Sequence, residues 1–316
     1  MRSLMKLDVI AVFQESKVPC FCARKRHVAR LRREFPVAEV RWCRTRQTFE
    51  RVLPRVQAAV TWAFRQEWFE LAPNLRRIAT PAAGRDFFPL DPPARVKVMR
   101  GTHHGPVMAE TVLGLMLAVN RGLFDAYACQ MRGEIWPCDS LHGIRLLAGT
   151  HAVIVGFGNI GQHIGRMLKG FGVRVTGVRR NVPQRPPEWF DRGDAVVSAS
   201  RMDGALRRAD HVIAVLPSDT GTDKIFDARR LELMPRHAVF YNVGRGNCVD
   251  EKALAKALKL RRLRGACLDV FAREPLERRS PLADNLPGLI RLPHSSAFTD
   301  DYIDRFLEEA VAWLKK

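Results

Sequence analysis

The chain has 316 residues, 47% of them hydrophobic and 27% charged, which accommodates two domains and excludes an intrinsically disordered protein. No apolar run approaches the roughly 20 residues of a membrane-spanning helix, so no membrane association is predicted. The net charge of +19 is typical of nucleic-acid-binding proteins. Because the basic residues are spread along the whole chain, we predict only incidental binding to polyanions and no specific nucleic-acid partner.

The first hundred residues alternate between strand-like and helix-like patterns. Strands are predicted within "KLDVIAVF", "AAVTWAF" and "LRRIATPAAG", and helices within "CARKRHVARLRREF" and "QEWFELAP". Another short strand is predicted at the end of the proline-rich stretch "FFPLDPPARVKV". This alternation predicts an α/β unit with a parallel sheet.

The segment from Val107 to Val119 is apolar nearly all round. A helix without a polar face is buried on every side. We therefore predict that this helix lies between domains or against a second subunit.

A second α/β unit is predicted after this helix. Its strands are "AVIVG", "RVTGV", "ADHVIAVLP", "HAVFYNVG" and "GACLDVF", and the chain closes with the helix "TDDYIDRFLEEAVAWLKK". The seven cysteines are scattered and include no Cys-x-x-Cys pair. This usage is typical of a reduced compartment, so we predict a cytoplasmic protein without a metal site.

A glycine-rich turn, "VIVGFGNIG", joins the strand "AVIVG" to a helix and places Gly156, Gly158 and Gly161 in a G-x-G-x-x-G pattern. Between a strand and a helix, this pattern indicates dinucleotide binding. The glycines allow a tight turn and the close approach of a pyrophosphate, and the helix N-terminus offers free N–H groups to the phosphates.

Two arginines, Arg179 and Arg180, stand about 18 residues after this turn, where an acid usually binds the ribose hydroxyls of NAD. Arginine cannot accept these hydrogen bonds, but it can bind a phosphate at the ribose 2′ position. We therefore predict that NADP(H) is preferred and that NAD(H) use is open. The alternative is two surface arginines in an arginine-rich protein.

Arg245, Glu274 and His294 lie in three separate polar segments. Glu274 follows Arg245 by 29 residues, and His294 follows Glu274 by 20. Together with the glycine turn, these segments give the chain a resemblance to the D-isomer-specific 2-hydroxyacid dehydrogenases, the family of D-glycerate, glyoxylate/hydroxypyruvate and phosphoglycerate dehydrogenases. The motifs that carry it, in order, are "PAAGRD", "MAETVLGLMLAVNR", "GFGNIG", "LPSDTGT", "NVGRGNCVD", "LDVFAREPL" and "LPHSSAF".

The resemblance implies two Rossmann-like, doubly wound α/β domains. The substrate domain would comprise residues 1–100 and 292–316, and the dinucleotide-binding domain, residues 101–291, would be inserted into it. A homodimer contact through the Val107–Val119 helix is also implied.

The resemblance further implies a role for each site residue. His294 would donate a proton to the substrate oxygen, Glu274 would hold its ring and raise its pKa, and Arg245 would bind the substrate carboxylate. Backbone N–H groups of Ala83, Gly84 and Arg85 would bind the same carboxylate. The other predicted cofactor-binding residues are Asn159, Ile160, Pro217, Val243 and Asp269, the last of them through the nicotinamide carboxamide.

Some positions depart from the family pattern. Ser295 and Ser296 follow His294 where an apolar residue and then Ala or Gly are usual. Arg85 stands where an apolar residue is common; it pairs with Asp86, or it leaves room for a substrate with an extra negative group. His103 and His104 are interpreted as structural residues at the hinge.

The leading function is NADPH-preferring reduction of a small 2-oxo acid such as glyoxylate or hydroxypyruvate. One alternative is an NAD-dependent phosphoglycerate-type dehydrogenase, which would have an acid near residue 179. A formate dehydrogenase would have glutamine in place of Glu274. The third alternative is a non-catalytic, corepressor-like module that senses a dinucleotide, and the Arg245, Glu274 and His294 set argues against it.

Overall fold

The computed structural model describes residues 7–87, 89–136 and 141–316. The chain forms two compact units, Met1–His104 with Phe298–Lys316, and Gly105–Ala297. The domain boundaries predicted from the sequence lie a few residues before these divisions. Cys138, one of the seven cysteines, lies outside the described residues.

The strands are β1 (Val9–Phe13), β2 (Glu39–Trp42), β3 (Ala58–Thr61), β4 (Arg77–Thr80), β5 (Lys97–Arg100), β6 (His151–Val155), β7 (Arg174–Arg179), β8 (Ala195–Ser198), β9 (His211–Ala214), β10 (Val239–Asn242), β11 (Gly265–Leu268) and β12 (Leu289–Arg291). The helices are α1 (Lys25–Glu34), α2 (Arg46–Val52), α3 (Trp68–Leu71), α4 (His104–Asn120), α5 (Leu123–Met131), α6 (Asn159–Lys169), α7 (Met202–Leu206), α8 (Ala228–Leu233), α9 (Glu251–Lys259) and α10 (Tyr302–Leu314).

The first unit is built on a parallel sheet with the strand order β2-β1-β3-β4-β5. In its register, Ile10 of β1 aligns with Val40 of β2 and with Ala58 of β3. One face packs against α1 and α10 around Leu31 and Phe306. Because helices cover both faces, the central strands are apolar throughout rather than alternating.

The second unit is built on a seven-stranded parallel sheet with the order β12-β11-β10-β9-β6-β7-β8. The chain first runs from β6 outward through β7 and β8, then returns to β9 on the other side of β6. The carboxyl ends of β6 and β9 therefore flank the point where the strand order reverses, which is where open α/β sheets bind ligands. The prediction of two α/β units with parallel sheets is confirmed.

Helix α4 contains the apolar segment from Val107 to Val119, but it is not buried on every side. Glu110 and Gly114 are exposed, while Leu113 and Leu117 are half-buried. These positions share one face of the helix because they are three or four residues apart. One face of α4 is therefore uncovered in the single chain, and the prediction that this helix lies between domains or against a second subunit stays a prediction.

His103 and His104 pack inside the first unit against α10. The His104 Nε2 atom lies 2.8 Å from the Tyr302 hydroxyl, and the two imidazole rings are 4.1 Å apart. Glu309 accepts hydrogen bonds from the Thr102 N–H at 2.8 Å and the Thr102 hydroxyl at 2.6 Å. These contacts join the end of β5 to α10, as a structural role requires.

Within the described residues, no single helix has the length and apolar character needed to cross a membrane, whereas α4 and α5 meet that test only as a pair bent by 68°.

Candidate active site

The glycine turn lies at the carboxyl end of β6, and its conformation requires glycine. Gly156 has a φ of +100°, and a Cβ atom there would lie 2.2 Å from the Val215 carbonyl oxygen. A Cβ on Gly161 would lie 2.4 Å from the Gly156 oxygen. Any other residue at these two positions would push the turn away from β9 or from α6.

The turn leads directly into α6, whose first residues are open to solvent. Gly158 precedes the helix, no atom lies within 4 Å of the position its Cβ would take, and both Gly158 and Asn159 are exposed. The N–H groups of Gly156 and Phe157 donate to the Val178 oxygen at 3.0 and 3.1 Å. The structure thus presents an open helix N-terminus on a turn that β7 holds in place, an arrangement that fits the phosphates of a dinucleotide.

Arg179 and Arg180 lie at the carboxyl end of β7, beside this turn. Arg179 is the last residue of the strand and is half-buried. The Arg180 side chain is 78% exposed and forms an ion pair with Asp219 at 3.3 Å. Both arginines therefore lie at the carboxyl end of β7, and the Arg180 guanidinium group already has an acidic neighbour.

Arg245 lies on a turn that follows β10. The buried Asn242 side chain holds this turn: its amide nitrogen donates to the Arg245 oxygen at 3.0 Å, and its oxygen accepts from the Gly244 N–H at 3.1 Å. A Cβ on Gly246 would lie 1.8 Å from the Phe271 carbonyl carbon. Glycine at 246 therefore lets the Arg245 turn approach the loop after β11, which carries Glu274.

Glu274 and His294 are joined by a hydrogen bond of 2.7 Å between Glu274 Oε2 and His294 Nδ1. This bond raises the pKa of His294 against the opposing effect of burial. Burial works against ionisation of Glu274, but the hydrogen bonds from His294 and from the Phe271 N–H, together with the Arg245 charge, lower the pKa of its carboxyl group. Arg245 acts on both groups, so the structure brings the three predicted residues together.

Asp269 is buried and supports the His294 loop. Its two carboxylate oxygens accept hydrogen bonds from the N–H groups of Ser295, at 2.7 Å, and Ser296, at 3.0 Å. Its carbonyl oxygen accepts from the His294 N–H at 2.9 Å, and His294 itself has a φ of +54°. Asp269 therefore fixes the backbone that presents the imidazole, a role the sequence did not indicate.

The remaining predicted residues divide between the two units. Pro217 is exposed and Val243 is buried, both at carboxyl ends of second-unit strands. Ala83, Gly84 and Arg85 belong to the first unit, in the loop after β4. There the Gly84 oxygen accepts a hydrogen bond from Arg100 at 3.1 Å.

Three positioning residues were missed by sequence reasoning: Asn242, Asp219 and Thr111. The Thr111 hydroxyl, on α4, donates to the Ser296 oxygen at 2.9 Å and so supports the His294 loop. Asn242 stands in the motif "NVGRGNCVD", directly after a buried strand, and that place was a usable signal. Thr111 and Asp219 stand in the motifs "MAETVLGLMLAVNR" and "LPSDTGT", but their partners Ser296 and Arg180 are far away in the chain, so the motifs alone did not indicate these contacts.

The comparison with protein families identifies the chain from this same region. Residues 113–296 match the model described as D-isomer specific 2-hydroxyacid dehydrogenase, NAD binding domain. The chain belongs to the D-isomer specific 2-hydroxyacid dehydrogenase family. The named relatives are dehydrogenases of 2-hydroxy acids or reductases that form them, so this 2-hydroxyacid dehydrogenase is an NAD(P)-dependent oxidoreductase.

Curated relatives with different names match this dehydrogenase at similar identity. A D-3-phosphoglycerate dehydrogenase from Methanocaldococcus jannaschii is 35% identical over 61% of this chain, a match that spans only 36% of that relative. An (S)-sulfolactate dehydrogenase from Chromohalobacter salexigens is 31% identical over 77% of this chain and 75% of the relative. A glyoxylate/hydroxypyruvate reductase B from Escherichia fergusonii is 32% identical over 73% of this chain and 71% of the relative.

Solved structures with the same fold include NADP complexes. A D-isomer specific 2-hydroxyacid dehydrogenase from Xanthobacter autotrophicus, in complex with NADPH and MES, has a TM-score of 0.79 at 25% identity. The match covers 98% of this chain and 95% of the chain in that structure. An NADPH-dependent glyoxylate/hydroxypyruvate reductase from Sinorhizobium meliloti, in complex with NADP and sulfate, has a TM-score of 0.77 at 27% identity. The match covers 96% of this chain and 94% of the chain in that structure.

Proposed function

We propose that this dehydrogenase reduces a small 2-oxo acid, such as glyoxylate or hydroxypyruvate, and prefers NADPH to NADH. The observation that carries the proposal is the 2.7 Å bond between Glu274 and His294, with the Arg245 charge acting on both. The test is reduction of these acids by the purified protein with each cofactor.

His294 is proposed as the proton donor. A carboxylate can only accept hydrogen bonds, so the bond to Glu274 places a proton on Nδ1 and leaves Nε2 as the nitrogen that exchanges a proton with the substrate. Because the pKa of His294 is raised, more of the imidazole is protonated at neutral pH. The protonated ring can donate to the oxygen on which negative charge develops.

Arg245 is proposed to bind the substrate carboxylate and so to orient the neighbouring carbonyl group. A guanidinium group can form two parallel hydrogen bonds with a carboxylate, which fixes position as well as charge. The backbone N–H groups of Ala83, Gly84 and Arg85 are proposed to bind the same carboxylate, as the family resemblance implies. The units Met1–His104 with Phe298–Lys316 and Gly105–Ala297 are accordingly proposed as the substrate and dinucleotide-binding domains.

The residues around the glycine turn fit a nicotinamide dinucleotide. Gly156, Gly158, Asn159, Ile160 and Gly161 would hold its pyrophosphate at the open N-terminus of α6. The cofactor, when bound and reduced, supplies the hydride for the carbonyl carbon. The further contacts proposed with it are those of Pro217, Val243 and Asp269, although the Asp269 oxygens also hold the backbone of Ser295 and Ser296.

The preference for NADPH is proposed from Arg179 and Arg180. Hydrogen bonds to charged groups contribute roughly 1.5–3 kcal/mol each, which corresponds to a preference of roughly 10- to 1000-fold for one or two contacts. Since the Arg180–Asp219 ion pair competes with a phosphate and Arg180 is exposed, we expect the lower part of this range. Arg179→Ala with Arg180→Ala should raise the KM for NADPH and leave that for NADH nearly unchanged.

A matched control removes two equal charges elsewhere in the same unit. Arg207 and Arg208 are exposed and precede β9 at its amino end, so Arg207→Ala with Arg208→Ala should leave both KM values unchanged. Asp219→Asn should increase the preference for NADPH by freeing Arg180. Equal use of NADH and NADPH by the unaltered protein would show that the two arginines do not determine a cofactor preference.

A homodimer is proposed on the apolar surface of α5. Leu123, Tyr127 and Met131 lie four residues apart on one helix face, and each is more than half exposed at 56%, 62% and 68%. Apolar patches of this kind mark interaction sites. Tyr127→Glu should weaken the dimer by at least ~10-fold, since it buries a charge in the contact. Asp125→Lys, at an exposed position on the opposite face of α5, should not weaken it. Sedimentation equilibrium measures both, and a monomeric parent protein at micromolar concentration would refute the dimer.

A cytoplasmic location is also proposed. The described cysteines are all free thiols, as expected for a reduced compartment.

A further inference from the structure

One segment of the first unit that the proposed function does not use is unusually basic. Basic residues occur along the whole chain, but residues 24–55 carry eleven arginines and lysines and three acidic residues. This segment therefore holds +8 of the net charge of +19. It includes α1, β2 and α2, and none of its residues belongs to the candidate active site.

The fold places these three elements at one edge of the first unit. Strand β2 is the last strand on its side of the five-stranded sheet and pairs with β1. Helix α1 packs on one face of these strands through Val28 and Leu31, and α2 packs on the other face through Phe49. Because both helices turn their apolar sides to the core, their polar sides and β2 form one outer surface. We call the exposed side chains of residues 24–55 the basic edge.

Most of the positive charge of the basic edge has no acidic partner. Its three acidic residues are each paired with basic residues: Glu34 with Lys315, Glu39 with Arg41 and Arg55, and Glu50 with Arg46. Among the described residues, no carboxylate forms an ion pair with six exposed cations of this surface, which are Arg24, Lys25, Arg32, Arg33, Arg44 and Arg51. Like charges held together in this way attract a polyanion.

The side chains of the basic edge favour a phosphate polyanion over a protein or a membrane. A stable protein contact has an apolar centre, and a helix that lies in a membrane surface exposes an apolar face. Within residues 24–55, all of which the structure describes, Val37 is the only exposed large hydrophobic side chain. Five of the six unpaired cations are arginines, whose planar guanidinium groups form paired hydrogen bonds with phosphate oxygens.

We propose that the basic edge binds the sugar-phosphate backbone of a nucleic acid, independently of the base sequence. This binding goes beyond the proposed reduction of a 2-oxo acid and does not depend on it. Contacts between cations and phosphates give binding whose affinity falls steeply as salt increases. The proposal differs from incidental attraction to a basic protein, in which every exposed cation would contribute alike.

The test is titration of a short fluorescein-labelled DNA duplex, and of a labelled single-stranded RNA of equal length, with the full-length protein. Fluorescence anisotropy at several salt concentrations measures the affinity, and the two probes show which nucleic acid is preferred. The triple variant Arg33→Ala, Arg44→Ala and Arg51→Ala removes one unpaired cation from α1, from the loop after β2 and from α2. It should weaken binding at low salt by at least ~10-fold and reduce the slope of log K against log salt by roughly 2–3.

A matched control removes three exposed cations from the opposite side of the same sheet. Arg76, Arg95 and Lys97 lie at the amino ends of β4 and β5. Their triple alanine variant has the same net charge as the first variant but should lose less than ~3-fold in affinity. Both variants should keep the melting temperature of the parent protein, since all six side chains are exposed.

Two results would overturn the inference. Equal losses of affinity in the two variants would show that net charge alone attracts the nucleic acid. Absence of binding to both probes at low salt would also contradict it. Binding to vesicles of equal parts phosphatidylserine and phosphatidylcholine in that case would assign the basic edge to a membrane surface instead.

Discussion

His294→Asn and His294→Ala should each lower kcat for 2-oxo acid reduction by at least ~100-fold, the low end of general acid catalysis. Binding of NADPH should be retained, because His294 is assigned to the substrate oxygen rather than to the cofactor. Asparagine is the sharper variant: residue 294 has a φ of +54°, and asparagine adopts this left-handed conformation more readily than alanine. Steady-state kinetics and fluorescence titration with NADPH measure the two quantities.

Glu274→Gln separates the effect of the hydrogen bond on His294 from the effect of the carboxylate charge. Its amide oxygen can still accept the hydrogen bond from Nδ1, but the negative charge that raises the pKa of His294 is lost. Since the protonated imidazole is the proposed active form in reduction, kcat/KM should fall as pH rises through the pKa of His294, and this fall should move to lower pH in Glu274→Gln. An unchanged pH profile, or near-normal kcat in His294→Asn, would show that another group donates the proton.

Arg245→Leu should lower kcat/KM for every 2-oxo acid by at least ~100-fold. Two hydrogen bonds to a charged group contribute roughly 3–6 kcal/mol together, and each 1.4 kcal/mol corresponds to a factor of ten. Arg245→Lys should retain part of the activity, because it keeps the charge but loses the planar pair of donors. The measurement is the kinetics of both variants with hydroxypyruvate and NADPH.

The same variants need a check on folding, because Arg245 lies on a constrained turn. Its backbone oxygen accepts from Asn242, and the neighbouring Gly246 packs against Phe271. The Arg245 guanidinium group also donates to the Gly244 oxygen at 2.8 Å within this turn. We therefore expect a small loss of melting temperature in Arg245→Leu, and a change in the KM for NADPH that is much smaller than the change in kcat/KM for the 2-oxo acid. Loss of NADPH binding to the same extent as activity would assign Arg245 to the fold rather than to the substrate.

The fold followed from local features of the sequence. Strands such as β6 and β9 are apolar at successive residues because helices cover both faces of the sheet. The glycine turn was predictable because Gly156 needs a positive φ and Gly161 lies in close contact with the Gly156 oxygen, and only glycine meets both conditions without strain. The short strands β2 and β12, and the helix α5, carried no comparable pattern, since they are partly exposed and their pairing depends on the strands beside them.

The site was predictable where a residue type is tied to one chemistry. Arginine, glutamate and histidine at their family spacing indicated the groups now proposed to bind the substrate and donate the proton. In the structure Glu274 bonds to His294, and the Arg245 charge acts on both. The supporting contacts were not predictable. Asp269 holds the backbone 26 residues further along, and Asp219 meets Arg180 across 39 residues. Such contacts depend on tertiary packing rather than on any local pattern.

The most direct test of the account is the consumption of NADPH by the purified dehydrogenase with hydroxypyruvate or glyoxylate, followed at 340 nm. We predict steady turnover, with D-glycerate or glycolate as the product, and a lower kcat/KM when NADH replaces NADPH. Tight binding of NADPH without oxidation in the presence of any 2-oxo acid would contradict the account and favour a protein that senses the dinucleotide.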